Sequence, residues 1–143
     1  MARIVVGVDG SEESKAALRW AIDEARLRDA TVEALFVWHY QMYVAGPALA
    51  IPQLPVEDVQ RDARETLDRV VDGVLAELGG DRIRVERAAV EGVPARELVE
   101  AARGAELLVV GSRGHGGFTG LLLGSVSQQC AQHAPCPIVI VRG

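Results

Sequence analysis

ARIVVGV (Ala2–Val8), DGSEESKAALRWAIDEARLRDA (Asp9–Ala30) and TVEALFVW (Thr31–Trp38) follow one another at the start of the chain. Ala2–Val8 is a short apolar run rich in β-branched residues, the pattern of a strand buried on both faces. Gly10 and Ser11 break it. Ser11 suits a helix N-cap, and Glu12 and Glu13 fall in the first turn, where the helix dipole favours acids. Leu18, Ala21, Ile22 and Ala25 recur at helical spacing, so an amphipathic helix is predicted to about Asp29. Thr31–Trp38 reads as a second strand. Strand, helix and strand in this order predict a right-handed parallel crossover.

The remaining sequence repeats that alternation. His39–Pro55 is a long loop with Gly46, Pro47, Pro52 and Pro55, and loops of this length are often lids or binding segments. Val56–Leu78 is predicted helical. Ala63, Leu67, Val70, Val74 and Leu78 form its apolar stripe, and Gly79-Gly80 stops it. Arg82–Val90 is a third strand, alternating at first, which suits a sheet edge. Pro94 opens a short helix with Ala95, Leu98, Val99 and Ala102 facing inward and an end at Gly104. Glu106–Val110 is a fourth strand, a glycine-rich segment spans Gly111–Gly124, a helix runs from about Ser125 to His133, and Ile138–Val141 is the last strand. No linker or internal repeat divides residues 1–143, so one domain is expected. The pattern predicts an α/β fold with a parallel sheet covered on both faces. In such sheets ligands bind beyond the carboxyl ends of the strands, at a topological switch point. The loops after the first and fourth strands are therefore the first candidates.

Composition narrows the function classes. The chain has 143 residues, 49% hydrophobic and 24% charged, which excludes disorder, collagen and coiled coil. Aromatic residues are only 4%, so the core must be aliphatic. Net charge is −5 without any basic run, which argues against a nucleic-acid partner. No apolar stretch reaches the roughly 18 residues of a membrane span. The start shows no charged leader and apolar run, so a cytoplasmic protein is expected. Cys130 and Cys136 are too few for a disulfide framework and read as buried free thiols. Carboxylates stop at Glu106. The stretch from Leu107 to Gly143 carries Arg113, Arg142, His115 and His133 but no Asp or Glu. At average density about five would be expected there. Either an anion sits nearby, or buried strands and a glycine loop simply lack charge.

The chemistry-bearing segment is Gly111–Ser127, GSRGHGGFTGLLLGSVS, in which six of the first fourteen residues are Gly. Glycine lets backbone amides turn inward and approach an anion. The segment also feeds a helix N-terminus, whose amides and dipole attract phosphate. A phosphate cradle and a purely structural glycine loop both remain open. Ser125-x-x-Gln128 also matches a capping box, which satisfies helix amides internally. Other phosphate motifs are missing. Lys15 is the only lysine, so a P-loop is excluded, and Gly7-Val-Asp9-Gly10 is not a dinucleotide fingerprint. Asp9 ends the first strand, where a carboxylate can accept from a ribose hydroxyl, help hold a metal, or add a cap to the first helix. Cys130-x-x-His133-x-x-Cys136 offers three ligands, one short of a structural zinc site. His115 can contact phosphate or simply be solvated, and His39 flanks the same edge. No nucleophile–base constellation is evident, which leans toward a binding or regulatory protein and leaves a weak ATPase open.

Taken together these residues resemble the universal stress protein family, in its small ATP-binding form. Gly111-x-x-Gly114, nine residues, then Gly124-Ser125 matches that family's nucleotide-binding pattern without a gap. The early IVVGVDGS (Ile4–Ser11), Gly92-x-Pro94 and the closing APCPIVIV (Ala134–Val141) are similar too. The resemblance implies a Rossmann-like, adenine nucleotide alpha hydrolase-like fold with a five-stranded parallel sheet in the order 3-2-1-4-5. It implies ATP, with Mg²⁺, as the ligand. Asp9 would face the ribose or adenine side, and Val37 would flank the base. Gly111, Gly114, Gly124 and Ser125 would hold ribose and phosphates, with Val126 adding a backbone amide. It also implies a homodimer in which the last strand, Pro137–Val141, pairs across the axis. Residues 39–55 vary in such proteins, so no role transfers to Tyr40, Met42 or Tyr43. The implied function is a nucleotide-dependent regulator of stress or dormancy adaptation. A slow ATP hydrolase, a cyclic AMP binder and a dimeric interaction module without nucleotide are the alternatives.

Overall fold

Alternating side chains on short apolar runs and 3.6-residue stripes between them build a three-layer α/β architecture. A computed structural model of the chain describes residues 2–39, 55–79, 83–113 and 123–143. Its elements are β1 (Arg3–Gly7), α1 (Glu12–Arg28), β2 (Thr31–Trp38), α2 (Val56–Leu78), β3 (Val85–Glu91), α3 (Pro94–Ala101), β4 (Leu107–Gly111), α4 (Ser125–His133) and β5 (Ile138–Val141). All strand pairs are parallel and the sheet order is β3-β2-β1-β4-β5, as the resemblance implied. The strand order reverses between β1 and β4, which is the switch point.

Each face of the sheet has its own apolar layer. Ile4, Val6, Val32, Ala34, Phe36 and Val109 meet the stripes of α1 and α2. Val5, Leu35, Leu108 and Val110 point the other way, toward α3 and α4. The central strands are buried on both sides, which explains their unbroken apolar runs. β3 lies at one edge, as its alternation suggested, and β5 lies at the other. Ile138–Val141 of β5 are all only half-buried.

Several boundaries shift for identifiable reasons. β2, α2, α4 and β5 run between the expected residues. Gly79 ends α2 in the left-handed region, with φ 61°, as a C-cap glycine should. β3 begins at Val85 and reaches Glu91, because the Gly92 N–H donates to the Trp38 carbonyl and prolongs the pairing with β2. α3 stops at Ala101, short of Gly104. There the Arg3 guanidinium takes the carbonyls of Ala101 (2.8 Å) and Arg103 (2.9 Å), and Gly104 turns the chain with φ 75°. Gly80, Arg82 and the loop interior from Tyr40 to Leu54 lie outside the described residues. Among the described residues no helix is long and apolar enough to cross a membrane.

Candidate functional site

The carboxyl edge at the switch point is built first from the turn after β1. The Val8 N–H donates to the Leu35 carbonyl at 2.9 Å, carrying the ladder one residue past the strand. Asp9 then accepts the Ser11 N–H on Oδ1 at 2.9 Å. Ser11 caps α1 as predicted, its Oγ accepting the Ser14 N–H at 3.2 Å. The Ser14 hydroxyl, only 3% exposed, donates to the Ser11 carbonyl at 2.9 Å and accepts the Asp9 N–H at 3.3 Å. These bonds fix the Asp9 backbone and commit one carboxylate oxygen to the turn. The cap role weighed for Asp9 is therefore present, and it leaves Asp9 half-buried at the sheet edge.

The other half comes from β4 and α4. Gly111 ends β4 where the first turn of α1 crosses it. A Cβ on Gly111 would lie 2.8 Å from the Glu13 carbonyl carbon, so the glycine permits a close backbone approach. Ser112 follows, buried, with both backbone groups engaged. Its N–H donates to the Val141 carbonyl of β5 at 2.8 Å, and its carbonyl accepts the Gly124 N–H at 2.7 Å. The Ser127 hydroxyl, 2% exposed, donates to the same Ser112 carbonyl (3.1 Å) and is shared with the Gly124 carbonyl (3.0 Å). The two ends of the glycine-rich segment are thus held against each other.

This arrangement overturns the expected capping box. Gly124, not Ser125, is the N-cap of α4, and among the described residues no side chain caps the helix. Capture of the Gly124 N–H by Ser112 fixes Gly124 in extended geometry (φ −70°, ψ 165°) and makes Ser125 the first helical residue. Among the described residues, no backbone acceptor meets the N–H groups of Ser125, Val126 and Ser127. The helix dipole adds partial positive charge there.

Strand register shows which predicted residues meet. Gly7 pairs with Leu35 and Val6 with Val109. Carried forward, Val37, Asp9 and Ser112 stand level across the sheet edge. Val37 and Val126 both pack against the α3/α4 apolar layer. Gly111, Gly124 and Ser125 lie along the same edge, while Gly114 and His115 lie outside the described residues. The Cys130, His133 and Cys136 side chains do not form a metal cluster. Cys130 is buried in the core and His133 is exposed at the end of α4. Among the described residues no three His, Cys, Asp or Glu side chains come together in that way. Burial pushes the Cys130 thiol up to about 11 and the Cys136 thiol upward as well, which makes both poor nucleophiles. Sequence reasoning missed Ser14, Ser112 and Ser127. Their only signal is a serine where the surrounding pattern calls for burial.

Known proteins share this sequence pattern and this fold. The model of the universal stress protein family matches residues 1–142. A universal stress protein of Mycolicibacterium smegmatis is 39% identical over 142 residues, covering 98% of this chain and 48% of that protein. This chain thus spans about half the length of that relative. A universal stress protein of Methanocaldococcus jannaschii is 37% identical, covering 98% of this chain and 81% of its own length. Among solved structures, a universal stress protein in complex with cAMP is 27% identical with a TM-score of 0.69. That match covers 98% of this chain and 95% of the other.

Proposed function

Because the chain belongs to the universal stress protein family, we propose that it is an ATP-binding regulator of stress or dormancy adaptation. The observation that carries this reading is the start of α4, which has no side-chain cap among the described residues and is clasped beside the end of β4 at the switch point. Anions favour such a place, because helix amides and dipole both point at it. Asp9 and Val37 serve the ribose and base. Gly111, Gly114, Gly124 and Ser125 serve ribose and phosphates, and Val126 adds its amide. No Asp or Glu follows Glu106 in the chain, so the β4–α4 segment itself adds no carboxylate repulsion.

Mg²⁺ enters with the phosphates in this reading. Asp9 is a single carboxylate with one oxygen already bonded to Ser11. Magnesium is usually held by one or two carboxylates, phosphates and waters, so this donor set suits a nucleotide-borne ion and not an all-protein cage. The half-buried edge strand β5 is the face for a homodimer, since an unpaired apolar edge needs covering. Sedimentation is expected to give twice the chain mass.

The test is to denature purified protein with acid, identify the released nucleotide by chromatography, and titrate stripped protein with ATP·Mg²⁺ and with cyclic AMP. Stoichiometric ATP is expected. The cAMP complex of the related structure makes cyclic AMP the specific competitor, and preferential cyclic AMP binding would replace ATP in the assignment. No released nucleotide and no heat with either ligand would overturn the nucleotide reading. Gly124→Ala is expected to stay folded, because φ −70° suits alanine, and to bind at least about tenfold more weakly.

A further inference from the structure

Ser127 is a buried hydroxyl in the first turn of α4, yet it points away from solvent and into the backbone. Its proton is shared between two carbonyls twelve positions apart, those of Ser112 and Gly124. Ser112 is the first residue past β4, and Gly124 is the residue from which α4 starts. Ser112 is in turn tied to β5 through Val141. The hydroxyl therefore joins three elements, β4, β5 and α4, at one point.

Resting on the nucleotide reading above, we propose that Ser127 is the positioning residue of the anion site. It touches no ligand itself. It locks the direction of the first turn of α4, so that the amides of Ser125 and Val126 face the switch point. Neither carbonyl depends on Ser127 alone for a partner. Ser112 also accepts the Gly124 N–H and Gly124 also accepts the Gln128 N–H. Removing the hydroxyl therefore leaves no buried carbonyl unpaired, and the fold survives the loss. What changes is the angle between the helix start and the strand end. Sub-ångström misplacement of preorganised donors is enough to weaken anion binding.

The test compares the parent with Ser127→Ala, Ser127→Cys and Ser127→Thr by calorimetric ATP titration and thermal melting. Cysteine keeps the volume with a weak donor, and threonine keeps the hydroxyl. Ser127→Ala is expected to melt close to the parent but to bind ATP about tenfold or more weakly. Cysteine should fall between, and threonine should restore affinity to within about threefold of the parent. Parental affinity in Ser127→Ala, or an equal loss in Ser127→Thr, overturns the proposal. If the parent itself binds no nucleotide, the functional reading falls, and amide hydrogen exchange then decides the clasp alone. Faster exchange at Gly124 in Ser127→Ala supports the clasp, and unchanged exchange refutes it.

Discussion

Gly111→Ala should destabilise the fold even in the absence of any ligand. An ideal Cβ at this position lies 2.8 Å from the Glu13 carbonyl carbon and 2.9 Å from both its oxygen and its Cβ. Carbon atoms pack best at about 3.5–4.0 Å, so the first turn of α1 would have to back away by several tenths of an ångström. That turn is not free to move, because Asp9, Ser11 and Ser14 bond it to the end of β1. Overpacking typically costs about 1–3 kcal/mol, and a clash with backbone belongs at the upper end. For a chain of this size each kcal/mol lowers Tm by about 3 °C, so a fall of about 6–9 °C is expected. Gly73→Ala is the matched control with the opposite sign. Nothing lies within 4 Å of a Cβ there, and the residue sits inside α2. Alanine should stabilise by about 0.5–1 kcal/mol through helix propensity, raising Tm by about 2–3 °C. Scanning calorimetry on nucleotide-stripped protein, with urea denaturation as a second measure, reads both. If Gly111→Ala melts within about 1 °C of the parent, the close approach to Glu13 does not explain this glycine.

Two further outcomes test other parts of the frame. Arg3→Ala should lower stability by about 1–2 kcal/mol, because its guanidinium binds Glu33 (2.9 Å), the Ala101 carbonyl that ends α3 and the Arg103 carbonyl just past it; an unchanged urea midpoint would contradict that clamp. For Cys130, burial holds the folded thiol near 11 while an unfolded thiol titrates near its usual value. Its neutral-form stabilisation is thus whole below about pH 8.5 and is lost as pH rises through about 11, on the order of 3 kcal/mol. Urea midpoints measured from pH 8 to 11 should fall more steeply for the parent than for Cys130→Val, and parallel curves would refute the assignment.

Local signals were legible in the sequence and long-range contacts were not. The ends of α2 could be read because Pro55 and Gly79 flank it, and β2 could be read because its apolar run is continuous. The N-cap at Ser11 was visible for the same reason, since cap and first turn are neighbours in the chain. The end of α3 depends on Arg3, 98 residues away, so Gly104 was the wrong landmark. The start of α4 at Ser125 was read correctly, but its cap was misplaced by one residue because Ser112 captures the Gly124 N–H from across the glycine segment. A capping-box pattern cannot anticipate a competing carbonyl supplied by the residue that follows β4. The sheet edge itself was predictable, because the strand–helix alternation sets the crossover hand and the carboxyl ends follow from it.

The same distinction bears on what a glycine pattern can say about a site. Gly111 and Gly124 belong to one motif, yet their surroundings differ. Gly111 is required by the backbone of Glu13, a contact that exists with or without ligand. Gly124 has an ordinary extended conformation, so its backbone angles alone do not call for glycine. A chain that kept Gly111 would be keeping its fold, and nothing about nucleotide would follow. The positions that discriminate binding from structure are therefore Gly124, Ser125 and Val126, together with the hydroxyl of Ser127 that aims them. Substitution there should separate affinity from stability, whereas substitution at Gly111 should lower both together.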